Sequence, residues 1–94
     1  MSEITKPIIH LNGTSVNELL IDNCEANFAI NSAIARIQKM EFHMRDYPVE
    51  GSWDKALAER VEVLKKLHEC SGHFMVIAEH CADAQAERES RRSK

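Results

Sequence analysis

Glycine and proline are scarce in this chain of 94 residues, three of the first and two of the second. Scarcity of both leaves little to interrupt long helices and argues against a loop-rich or many-stranded fold. Aromatic residues make up only 5%. No apolar run approaches the roughly 18 residues that a membrane span needs. There is no Cys-x-x-Cys, no His-Glu-x-x-His, no glycine-rich phosphate loop and no nucleophile elbow. The three cysteines, Cys24, Cys70 and Cys81, leave an odd thiol if two of them pair. The opening residues lack both the basic and the apolar part of a secretory leader. The expectation is a soluble cytoplasmic protein with reduced thiols.

What is present is charge and helical period. Charged residues make up 29% and hydrophobic residues 44%. Residues 86–94 hold Arg88, Arg91, Arg92 and Lys94 against Glu87 and Glu89, a local net of +2. The other 85 residues carry 8 basic and 13 acidic side chains, a net of −5. An acidic body repels phosphate backbones, so duplex nucleic acid is not an expected partner. The basic run reads as a solvated, disordered tail.

Three segments follow from the pattern: an extended N-terminal arm over 1–14, a helical hairpin over 15–85 and the tail over 86–94. Asn12-Gly13-Thr14-Ser15 reads as a turn into a helix, with Ser15 and Glu18 spaced as a capping box. Leu11, just ahead of it, is placed to pack on the first helical turn. From residue 16 to about 44 the apolar stripe of Val16, Leu20, Ile30, Ile34 and Ile37 recurs at helical spacing. Acidic residues lead and basic residues follow on the opposite face, which suits the helix dipole. Asn23, Asn27 and Asn31 form a polar ladder beside the stripe, read as a register device of the kind buried amides provide. Residues 45–51 form the loop, stopped by Pro48 and leading through Gly51 to Ser52, the expected cap of a second helix from 53 to about 85. Gly72 sits inside that helix at a cost of about 1 kcal/mol relative to alanine. The apolar period runs through it unshifted, which favours one helix, kinked there if anywhere. The fold class is therefore all-α, a long antiparallel hairpin.

Both helices carry a second apolar stripe. Ile21, Phe28 and Phe42 mark it on the first, Val63 and Ile77 on the second. A hairpin covers one stripe per helix, and soluble monomers seldom leave so large a patch in water. Assembly into a helical bundle is expected, with these five residues at the interface between copies.

Candidate chemistry is thin. Cys70, His73 and His80 are ligand types suited to zinc, yet their spacing matches no recognised site. A metal-stapled structural protein is the remotest of the alternatives, and no cofactor is expected. No thiolate stands beside an activating base, so the chain is not expected to be an enzyme. Arg45 and Tyr47 in the loop are residue types that anchor interfaces or stack on bases and hold phosphates. His10, Asn12 and Thr14 lie at the other pole of the hairpin. The two groups can form a common site only between copies packed antiparallel.

The stretches Ile9-His10-Leu11-Asn12-Gly13-Thr14-Ser15 and Arg45-Asp46-Tyr47-Pro48 also resemble a group of small proteins encoded by tailed phages and prophages. The similarity spans residues 9 to about 85, with a loop shorter than is usual for the group. It implies an accessory phage protein in the host cytoplasm and assigns no activity. Two functional expectations follow: a homo-oligomeric bundle that binds and modulates a host protein, as in counter-defence, or a protein that sequesters a small nucleotide-type ligand between subunits.

Overall fold

The computed structural model describes residues 3–92, with Arg92 as backbone only. Two helices, α1 (Val16–Gln38) and α2 (Ser52–Arg92), pack against each other as an antiparallel hairpin; a 3-10 turn at Met44–Asp46 lies between them. The body is a rod of 68 × 26 × 21 Å. That length is set by α2, whose 41 residues rise about 61 Å at 1.5 Å per residue.

Helix α1 starts as its sequence dictates. Ser15 stands at the N-cap in extended conformation and its Oγ accepts from the Glu18 amide at 3.1 Å. Leu11 does not pack on the first turn as expected; it is 99% exposed. The turn closed by Gly13 N donating to His10 O at 3.2 Å points it outward.

The end of α1 comes earlier than the pattern suggests, at Gln38 rather than near Met44. The last turn tightens, with Lys39 N donating to Arg36 O and Met40 N to Ile37 O. Arg60, reaching from α2, donates to Ile37 O at 2.9 Å and so caps the helix with a positive charge where the dipole favours one. Beyond this point Phe42 leaves the helical path to meet Trp53 at 4.8 Å and Tyr47 at 5.6 Å between ring centroids. The Arg60 guanidinium lies 4.6 Å from the centre of the Phe42 ring. This cluster closes the hairpin. Phe42 thus packs within the chain instead of on an outward stripe.

Gly51 turns the chain into α2 with φ +81°, a conformation that side chains resist. Ser52 is the first helical residue rather than the cap, and its hydroxyl donates to Val49 O at 2.6 Å. Helix α2 then runs unbroken through Gly72 and on to Arg92. It thereby takes in residues 86–92, most of the segment read as a disordered tail; 93 and 94 lie outside the described residues.

The core is slight. Among the described residues, Val16, Ile34, Ala78 and Cys81 are the buried apolar ones, and Ser71 is buried with them. At its centre is a closed ring of hydrogen bonds. Asn27 Nδ2 donates to Ser71 Oγ at 2.7 Å and Ser71 O at 2.9 Å, Ser71 Oγ donates to Asn31 Oδ1 at 3.3 Å, and Asn31 Nδ2 donates to Asn27 Oδ1 at 3.0 Å. Asn23 turns back on its own helix, donating to Leu19 O. Parting Asn27 from Ser71 with no replacement partner would leave a buried hydroxyl unpaired, at about 1–3 kcal/mol.

Candidate functional site

The arm and the far end of α2 enclose a shallow cleft. The carbonyl of Pro7 accepts from His80 Nε2 at 2.8 Å; a carbonyl only accepts, so the proton sits on Nε2. From there the arm runs beside the last turns of α2 and turns back at His10 to enter α1. A Cβ at Gly13 would stand 2.8 Å from His10 Nε2, so a side chain there would turn the exposed imidazole aside. The cleft, of about 520 Å³, lies between His10, Gly13 and Ser15 on one side and Glu87, Arg88 and Arg91 on the other. Arg91 pairs with Glu87 at 2.9 Å. His10, Arg88 and the Glu87-paired Arg91 can offer hydrogen-bond donors to an anionic group in this cleft.

Of the sequence-derived candidates, His10 lines this cleft, while Asn12 and Thr14 are exposed in the turn beside it. Arg45 and Tyr47 stand at the opposite pole of the rod. Arg45 is exposed, but Tyr47 is half-buried and held 5.7 Å from Trp53. Within one chain the two groups do not meet. Arg88 and Arg91 were not among the candidates, since a run of charge near a chain end reads as solvated; the i, i+4 spacing of Glu87 and Arg91 is the signal that pointed to helix there.

Cys70 and His73 are exposed one turn apart on α2, with the His73 ring edge-on to Phe74 at 5.1 Å. His80 is taken up by the arm. Among the described residues no three His, Cys, Asp or Glu side chains converge as metal ligands. Burial, and then the charge of nearby Cys24, pushes the Cys81 thiol above its ordinary value. It is therefore protonated at neutral pH and a poor nucleophile.

The exposed apolar surface is the other notable feature. Phe28 is 74% exposed, and Ile21, Val61, Val63 and Met75 are exposed with it. Ile77 is half-buried. No helix among the described residues is long and apolar enough to cross a membrane. The chain matches no protein-family model, and no curated protein or solved structure compared with it is detectably similar.

Proposed function

We propose that the protein acts by binding rather than by catalysis. In this reading it is a homo-oligomeric helical bundle in the host cytoplasm, an accessory factor of phage type that engages and modulates a host protein. The observation that carries the proposal is the exposure of the hairpin. Its accessible surface is 7611 Å², against about 5500 Å² for a compact monomer of its mass. Its radius of gyration is 19.5 Å, where about 12 Å is usual for this length. A rod so thinly cored, with large apolar side chains in water, gains from burying them against other chains. Native mass spectrometry of the untagged full chain tests this. Masses at integer multiples of 10.7 kDa are expected, and a bare monomer at micromolar concentration contradicts the oligomer.

A second reading is favoured by the cleft at the terminal pole. There the bundle sequesters a small nucleotide-type ligand, with His10, Arg88 and Arg91 holding phosphate, and with Arg45 and Tyr47 of another copy adding charge and a stacking ring. A thermal-shift panel of linear and cyclic nucleotides is the test. Stabilisation that disappears in Arg88→Glu is expected, and no shift across the panel rules this reading out.

A further inference from the structure

We infer that two copies of the chain meet along one uncharged strip that spans both helices. The inference rests on the self-association proposed above and names the face that performs it.

Starting at Asn17 and stepping alternately four and three residues along α1, one passes Ile21, Cys24 and Phe28 and reaches Gln38 without meeting a charged side chain. All seven positions are exposed. The same count along α2, from Leu57 through Val61 and Met75 to Gln85, also meets none; Leu57, Val61, His68, Met75 and Ala82 on it are exposed, while Ser71 and Ala78 are buried against α1. Steps of four and three keep to one side of a helix. The hydrogen bond from Ser71 to Asn31 joins the two rows, so they form a single face. By contrast, the outward side of α1 carries Glu18, Asp22, Glu25, Arg36 and Lys39.

The occupant is a second copy, for two reasons. The strip is about 32 Å long over α1 and about 20 Å wide across two helices. That footprint of roughly 640 Å² is of the order of the ~800 Å² per partner that stable complexes bury. The poles also differ in charge. Residues 39–59 hold three basic and five acidic side chains, whereas 86–91, the described end of α2, hold two of each. A two-fold axis across the rod near Phe28 keeps the two acidic loop poles apart, each beside the neutral end of the partner's α2. The uncharged strip is then where two chains of net charge −3 approach without like-charge repulsion.

The test compares native masses of the full chain, Phe28→Glu and Lys66→Glu, with helicity followed by circular dichroism. Lys66 is exposed on α2 away from the strip and serves as the control. The expected result is an oligomer for the wild type and Lys66→Glu, and a helical monomer for Phe28→Glu. An oligomer that survives Phe28→Glu overturns this face and leaves self-association standing. A monomeric wild type overturns self-association itself. Loss of helicity in Phe28→Glu transfers the test to Val61→Glu, scored in the same way. Spin labels at Asp46→Cys, with Cys24 and Cys70 replaced by serine, read the polarity. Labels separated by more than half the 68 Å rod support the opposed arrangement, and closer labels overturn it.

Discussion

The two poles of the rod are built by different means. At the loop pole, Phe42, Tyr47 and Trp53, three of the five aromatic residues, pack together; Arg60 covers one ring and caps α1 with the same guanidinium. Among the described residues, no Phe, Tyr or Trp joins the arm to α2 at the terminal pole. The Pro7–His80 hydrogen bond holds the arm, and Asn17 meets Gln85 at 3.5 Å. Ile8 and Leu11 stand in water there. Aromatic packing confers more stability than isolated polar contacts, so the loop pole is the anchor.

The sharpest way to break this contrast is to truncate one contact at each pole. Trp53→Ala is expected to cost about 3 kcal/mol, as removal of packed aromatic side chains does. His80→Ala, which frees the arm, is expected to cost about 1 kcal/mol. Urea denaturation of both variants measures the difference, and equal losses would erase the distinction between the poles.

The glycines sharpen it next. Gly51 holds φ +81° at the loop pole, so Gly51→Ala is expected to destabilise by about 1–2 kcal/mol. Gly72, midway along α2, has open space around its Cβ position. Gly72→Ala is therefore expected to stabilise by about 1 kcal/mol. Melting temperatures moving in opposite directions would verify both assignments. A loss at Gly72 would mean that another chain approaches closely there.

The smallest effect lies near the terminal pole and depends on pH. The folded state raises the Cys81 thiol above its ordinary 9.0, first by burial and then through Cys24. Between the unfolded and the folded value the native state holds the proton that the unfolded chain releases. Stability is thus full below about pH 9 and falls as pH rises beyond it. Melting curves from pH 7 to 10.5 are expected to show this decline, and Cys81→Ala is expected to flatten it.

Much of the fold was legible because helices declare themselves by period. The stripes of α1 and α2 appear in the linear order of residues, as do the cap at Ser15 and the reversal between Pro48 and Gly51. Helix ends that no glycine, proline or cap residue marks were not legible. Phe42 has the spacing of a stripe residue and only meets Trp53 once the chain has reversed. The cleft was half legible: the turn around His10 stood out, but Arg88 and Arg91 lay in a run of charge that looks the same whether helical or disordered.

The sequence by itself therefore determined two amphipathic helices, the antiparallel hairpin they form, and two apolar stripes on each, because those depend on residue order within a few turns. Tertiary structure alone decided that α1 stops at Gln38, that Asn27 and Asn31 close a ring with Ser71, and which stripe stays in water. Each of these depends on a residue 23 or more positions away, or on burial that exists only after the two helices have met.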